Sequence, residues 1–183
     1  IKRTNDYHAK DIEQISSATS LRIALKKGED VSHQLPGYET YKNSHFFTLE
    51  EFYPYLKYLI TFTPLKDLHM IEEGLDDRLY KVNQETHSLE ELINSLTSKR
   101  YTRSRIQRML IHILLHNTKE EMKKAMDIDY IHILGLSTTG QRYIKTAKKN
   151  TEYKIITNIT KHKHPALDIE KRGAQLLDLV DPG

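Results

Sequence analysis

Two short stretches of this sequence carry residue types whose spacing suits phosphate chemistry. The first, ISSATSLR at residues 15–22, places several hydroxyls and one arginine around the predicted start of a helix. Unpaired amides at a helix start attract phosphates, and hydroxyl and guanidinium groups add further hydrogen-bond donors. Taken alone, the motif favours a simple helix cap over an anion site, because Ser/Thr runs before helices are usually caps.

The second stretch, KRYTRSRIQRMLIHILLHN at residues 99–117, contains the most basic decade of the chain. Four of the five cations from Lys99 to Arg108 are arginines, whose planar fork suits phosphate oxygens and base edges. Tyr101 adds a predicted stacking surface for an unpaired base. A solvated helix face explains the same pattern, so both interpretations stay open at this point.

An amphipathic helix is predicted to position these cations. Thr102 precedes it and can cap its first turn. Its apolar residues recur at i, i+3, i+4, i+7 and i+8, which predicts one buried face: Ile106, Met109, Leu110, Ile113 and Leu114. The other side carries Arg105, Arg108, His112 and His116.

Composition bounds the class of protein. The 183 residues are 38% hydrophobic and 29% charged, which is enough for one core and a small second lobe. The lack of cysteine excludes a disulfide framework, a thiolate metal site and a thiol nucleophile, and favours a cytoplasmic protein. No apolar run approaches the roughly 20 residues that span a bilayer, so no membrane association is predicted. The first residues contain neither an initiator methionine nor a signal peptide, which predicts that the chain begins inside a larger protein.

The charge is unevenly distributed along the chain. Residues 93–167 contain 15 Lys and Arg against 5 Asp and Glu, whereas the remaining residues contain 13 against 20. A cationic zone in an otherwise acidic protein is typical of a polyanion partner.

Capping signals and periodicity predict an irregular array of helices. The first helix is expected to begin with Thr19 or Ser20 as its N-cap and to stop at Gly28. Residues 31–44 are expected to form a connecting segment. Thr48 and Glu51 have the spacing of a capping box at the start of the next helix. The remaining predicted helices span about residues 48–59, 63–74, 76–83, 88–96, 102–116, 119–126 and 166–179.

A β-α-β unit is predicted near the C-terminus. Strand patterns at residues 130–137 and 153–159 flank a helix at about residues 141–149, and this order implies a parallel pair. The fold class is therefore mainly α, with a small β-α-β unit near the C-terminus. Around its helix lie Arg142, Lys145, Lys148, Lys149 and Lys154, opposed only by Glu152. The segment His162-Lys163-His164 is interpreted as a solvated turn and not as a metal site.

Several motifs together resemble the bacterial tRNA(Met) cytidine acetate ligase family. They are SSATSLR at residues 16–22, EEGLDDRL at 72–79, KRYTRSRIQR at 99–108, ILGLSTTGQRYI at 133–144 and HPALDIE at 164–170. The resemblance covers essentially the whole chain, but only the C-terminal part of the family's protein. It implies a nucleotidyltransferase-like enzyme that uses ATP to activate acetate as acetyl-adenylate. The acetyl group would then pass to N4 of the wobble cytidine of elongator tRNA(Met).

The resemblance also assigns sites. It implies that residues 1–30 are the remnant of an ATP-binding domain and that residues 31–183 form a mostly helical, tRNA-facing domain. None of the ten histidines forms the family's H-x-G-H-type motif, so this fragment is expected to be inactive alone, and no catalytic residue is assigned. Magnesium binding stays open. The residues expected at ATP phosphates are Arg3, Ser17, Thr19, Ser20 and Arg22. The residues expected at tRNA, from position and charge, are Lys99, Arg100, Tyr101, Arg103, Arg105, Arg108, His112, Arg142 and Lys145.

A second interpretation stays open. The chain would then be a stand-alone helical RNA-binding or protein-interaction module without catalysis, and SSATSLR would only cap a helix.

Overall fold

The computed structural model describes residues 17–44, 46–72 and 74–181. These residues are mainly helical and include a small two-stranded parallel sheet, which confirms the predicted fold class. The chain divides into two compact units, Ile1–Thr48 and Leu49–Gly183, and each is described by itself. No helix in the described segments is long and apolar enough to cross a membrane.

The first unit contains helices α1 (Ala18–Lys26) and α2 (Tyr38–Tyr41). The prediction that Thr19 or Ser20 caps α1 is wrong, because Ser17 is the N-cap and its hydroxyl accepts a hydrogen bond from the Ser20 amide. Gly28 ends the helix region with a φ of +74°, a left-handed conformation that glycine adopts without strain.

The second unit is an array of helices followed by the β-α-β unit. The α-helices are α3 (Tyr53–Phe62), α4 (Leu75–Glu85), α5 (Leu89–Leu96), α6 (Arg103–Leu114), α7 (Lys119–Ala125), α8 (Thr138–Ala147) and α9 (Pro165–Asp178). Two 3₁₀ helices, Leu49–Phe52 and Ile159–Lys161, lie among these longer elements. Helix α3 packs against both α4 and α6, α5 packs against α4 and α6, and α7 packs against α9.

The apolar face of α6 lies at the centre of the core of the second unit. Ile106, Met109, Leu110 and Ile113 are fully buried, as the periodicity predicts, while Leu114 only packs at the edge. The helix is capped by Thr102, whose hydroxyl accepts a hydrogen bond from the Arg105 amide. The predicted position of this helix is therefore confirmed.

The predicted helix at residues 63–74 is wrong. Leu65, Leu68 and Ile71 are buried as expected, but they lie on an irregular segment. Its backbone makes single turn bonds, from the Leu68 amide to the Leu65 carbonyl and from the Ile71 amide to the Leu68 carbonyl, and does not continue them into a helix. Between those turns it pairs with residues 117–119: the His69 amide donates to the Asn117 carbonyl, at 2.8 Å. Met70 also has a φ of +68°, which no α-helix contains.

The β-α-β unit is confirmed, with shorter strands than predicted. Strand β1 (Tyr130–His132) pairs in parallel with β2 (Lys154–Ile156), with Ile131 opposite Ile155. Helix α8 connects the two strands and contains no buried residue. Among the described residues the sheet consists of these two strands.

Candidate nucleotide and nucleic-acid sites

At the start of α1, the serine hydroxyls form hydrogen bonds within the helix's own first turn. Ser17 Oγ accepts from the Ser20 amide at 3.1 Å, and Ser20 Oγ donates to the Ser17 carbonyl at 2.8 Å. Ser20 is fully buried, whereas Thr19 and Arg22 are exposed. Of the residues expected at ATP phosphates, Thr19 and Arg22 therefore present their side chains to solvent. Arg3 lies outside the described residues.

A groove of about 550 Å³ lies along α1 within the first unit. Its charged lining consists of Arg22 and Lys26, so the groove is cationic. Aromatic rings beside cations suit a nucleotide, because the ring can stack on a base while the cations bind phosphates. Its full lining is Thr19, Arg22, Ile23, Lys26, Phe46, Phe47 and Thr48. Sequence reasoning missed Lys26 and the Phe46-Phe47 pair, although two adjacent phenylalanines beside a polar connecting segment were a usable signal.

In the second unit, one carboxylate binds two of the predicted tRNA-facing arginines. Glu72 forms ion pairs with Arg100, at 2.7 Å, and with Arg105. It also accepts a hydrogen bond from the Tyr101 hydroxyl, at 3.0 Å. These hydrogen bonds, from Tyr101 and then Arg100, together with the charge of Arg105, lower the pKa of Glu72. Glu72 is therefore ionised at neutral pH and offsets part of the arginine charge.

The expected stacking role of Tyr101 is contradicted by its burial. Its side chain is only 8% exposed and belongs to the core cluster, while Arg100 and Arg105 lie 5.3 and 5.1 Å from its ring centre. The ring is thus covered by the protein's own cations, and no face is open to a base.

A second ion pair binds Arg103. Its guanidinium contacts both carboxylate oxygens of Glu90, with one distance of 2.9 Å, and reaches Asn94 at 3.1 Å. Arg108 instead donates from Nε to the Ser104 carbonyl of its own helix, at 3.3 Å. Lys99 is exposed. The row of cations predicted from the sequence is therefore largely neutralised by acids from other elements.

His112 belongs to a polar network inside the second unit. Its Nδ1 lies 2.9 Å from Asn117 Nδ2, and its ring meets the His69 ring edge-on at 4.6 Å. Arg172 of α9 donates to Asn117 Oδ1 and to Glu121. Desolvation, followed by the charges of His69 and Arg108, lowers the pKa of His112. A neutral, half-buried His112 connects α6 to the rest of the network.

The cations of helix α8 differ from those around α6 in being exposed and without an acidic partner among the described residues. Arg142 and Lys145 are exposed, as are Lys148 and Lys149 just beyond its end. Within the described part of the chain, no carboxylate lies within ion-pair distance of these four side chains. Lys154 differs, because it pairs with Asp129 at 3.7 Å.

The interpretation of residues 162–164 as a solvated turn is wrong. His162 lies 3.2 Å from Asp129 Oδ1, and its ring and that of His164 meet Tyr130 edge-on at 5.3 and 5.1 Å. His164 Nδ1 also accepts from the Ala166 amide and so caps α9. Across the described residues, no group of three or more His, Asp or Glu side chains is arranged to hold a metal ion.

Comparison with known proteins identifies the family. A family model described as HIGH Nucleotidyl Transferase matches residues 1–182. The chain belongs to the HIGH nucleotidyltransferase family. Similar proteins in this family include the tRNA(Met) cytidine acetate ligase of Bacillus subtilis, 32% identical over 96% of this chain and 47% of the relative. The ligase of Staphylococcus carnosus is 36% identical over 90% of this chain and 44% of the relative.

Solved structures share the fold of this chain. The crystal structure of Thermotoga maritima TmcAL (apo, form I) gives a TM-score of 0.79 at 20% identity, over 96% of this chain and 48% of that one. The same protein bound with alpha-thio ATP gives a TM-score of 0.73 at 23% identity, over 92% of this chain and 47% of that one. The resemblance stated from the sequence is thereby confirmed. The chain spans about half the length of the relatives it matches.

Proposed function

We propose that this chain is the C-terminal portion of an ATP-dependent tRNA(Met) cytidine acetate ligase. The observation that carries the proposal is the match of almost the whole chain to proteins of that name. Membership of the nucleotidyltransferase family and the cationic groove along α1 support it. The proposed location is the cytoplasm.

The proposed reaction has two steps. A carboxylate oxygen of acetate attacks the α-phosphorus of ATP, which forms acetyl-adenylate and releases pyrophosphate. The N4 amine of the wobble cytidine of elongator tRNA(Met) then attacks the acetyl carbon, forms an amide, loses a proton and releases AMP. The first step requires donors around the phosphates, because negative charge is redistributed over them in the transition state.

We assign the phosphate role to the start of α1. Arg22 and the Thr19 hydroxyl face the groove, and the helix dipole adds positive potential there. Ser17 and Ser20 shape this helix start through their mutual hydrogen bonds. Arg3 is assigned to the nucleotide by the family resemblance, and magnesium to the phosphates of ATP. Activity requires the further part of the family's protein, so the fragment alone is inactive.

The tRNA role is assigned to the cations of the second unit. The proposed contacts are Lys99, Arg100, Arg103, Arg105, Arg108, Arg142 and Lys145. His112 is assigned a supporting role, in which it holds α6 through its contacts with Asn117 and His69. Six to seven phosphate contacts would make binding strongly dependent on salt.

The test joins the N-terminal half of the Bacillus subtilis relative to this chain and measures ATP-dependent acetylation of elongator tRNA(Met). The chain alone is expected to be inactive, and the joined protein to acetylate. Within it, Arg22→Ala should lower acetyl transfer about a hundredfold or more, since one lost donor to a developing charge costs that much. The affinity for tRNA should stay unchanged.

The matched control is Lys27→Ala, because Lys27 caps the same helix but pairs with Glu29 outside the groove. It should retain full turnover. Unchanged turnover in Arg22→Ala would refute the role of Arg22. RNA binding without acetylation in the joined protein would favour the stand-alone binding module.

A further inference from the structure

The cations around α8 have no structural task in the described part of the chain. Helix α8 buries none of its residues, and Arg142, Lys145, Lys148 and Lys149 have no acidic partner there. Arg142 and Lys145 are three residues apart, which places them along one stripe of the helix, and Lys148 and Lys149 follow just after its end. Nothing in the core therefore explains why these residues are cationic.

The same helix exposes an aromatic ring next to Arg142 in the sequence. Tyr143 follows Arg142 directly and is 72% exposed, a large fraction for an aromatic side chain. Tyr153, just before β2, is also exposed. An exposed ring beside unpaired cations suits a strand whose bases can stack while its phosphates bind the cations.

Duplex RNA cannot use this combination. Its bases are stacked on one another, and the deep major groove of the A-form keeps side chains from them. The arginines around α6 offer no such ring, because Tyr101 is buried, and a phosphate there must compete with Glu72 or Glu90.

We propose that the α8 surface, consisting of Arg142, Tyr143, Lys145, Lys148 and Lys149, binds unpaired nucleotides of the RNA substrate. The cations bind successive phosphates, and Tyr143 stacks on one base. This inference rests on the proposed function in one respect, that RNA is the substrate. The inference goes beyond the proposed function because it assigns binding of the single-stranded part of that RNA to the α8 surface.

The experiment measures binding of the whole chain to two probes across a salt series: an RNA stem-loop and a blunt RNA duplex of equal length. Tyr143→Ala should weaken stem-loop binding roughly five- to hundredfold and leave duplex binding unchanged. Tyr143→Phe, which keeps the ring, should bind like the wild type. Tyr80→Ala removes an exposed tyrosine from α4 and serves as the matched control.

The charges are tested with Arg142→Glu/Lys145→Glu against Lys81→Glu/Lys123→Glu, which changes net charge equally at exposed positions elsewhere. The first pair should reduce the log–log salt slope for the stem-loop by about 1.4, because each lost phosphate contact on a single strand contributes about 0.7. The control pair should leave the slope almost unchanged.

Equal effects of the two charge pairs, or equal losses on stem-loop and duplex in Tyr143→Ala, would overturn the α8 assignment while the proposed function stands. Failure of the wild-type chain to bind either probe at low salt would overturn both the assignment and the tRNA role of this chain.

Discussion

The basic segment that leads into α6 and the basic end of α8 look alike in sequence but differ in the structure. Around α6, Glu72 binds Arg100 and Arg105, and Glu90 binds Arg103. In the described residues around α8, Arg142 and Lys145 meet no acid. A cation that is already paired must exchange one anion for another when it binds RNA, whereas an unpaired one exchanges only water and mobile ions. The number of cations in a segment therefore does not by itself predict the affinity of that segment for RNA.

The two helices also differ in what they contribute to the core. Leu110→Ala in α6 should lower the free energy of unfolding by about 2–5 kcal/mol, because it leaves a cavity in a fully packed site. Ile144→Ala in the half-exposed α8 should cost about 1 kcal/mol or less. Urea denaturation of both variants measures the difference. Equal losses would show that α8 is as firmly anchored as α6.

Helix caps sharpen the same comparison, since both helices begin with a capping hydroxyl. Thr102→Ala should lower global stability by about 0.5–2 kcal/mol, because α6 forms part of the core. Ser137→Ala should raise hydrogen exchange in α8 alone and leave the denaturation midpoint nearly unchanged. A shift of the midpoint by Ser137→Ala that matches the one from Thr102→Ala would contradict this view.

Removing the carboxylate at the centre of the arginine cluster should release its cations. Glu72→Gln is expected to raise RNA affinity about two- to tenfold at low salt and to steepen the salt slope, because Arg100 and Arg105 lose their anionic partner. Its cost in stability should be small, because solvent screens exposed ion pairs. Asp77→Gln, which removes an exposed carboxylate of α4, controls for the change in net charge. An affinity that rises equally in both variants would show that net charge alone is responsible.

The smallest effect is expected from acid titration of His112. Its folded-state pKa is lowered below the ordinary value of 6.5, so the unfolded chain binds the proton more readily. The stabilisation is fully present above pH 6.5 and is lost as the pH falls through the folded-state pKa. Denaturation midpoints between pH 7.5 and 5 should show this decline, and His112→Asn should flatten it. The same slope in both proteins would place the titrating group elsewhere.

Local patterns predicted the elements that have local causes. The apolar stripe of α6, its cap Thr102 and the parallel β-α-β unit all follow from residues close in sequence, and all are confirmed. The segment at residues 63–72 has helical apolar spacing but is not a helix, because its Asp67 carbonyl and His69 amide pair with residues some 50 positions further along the chain. The groove beside α1 was not predicted: the sequence pattern singles out Thr19 and Arg22 of its lining, whereas Phe46 and Phe47 reach it from a separate segment.

The sequence by itself determined the cationic composition of the middle of the chain, the buried face of α6 and the family. Only the tertiary structure decided which cations are available. Glu72 and Glu90 lie on other segments than the arginines they bind, and Tyr101 is buried because it packs into the core while Arg100 and Arg105 lie over its ring. Ion pairs and burial depend on distances in space between residues far apart along the chain, which periodicity and composition do not encode.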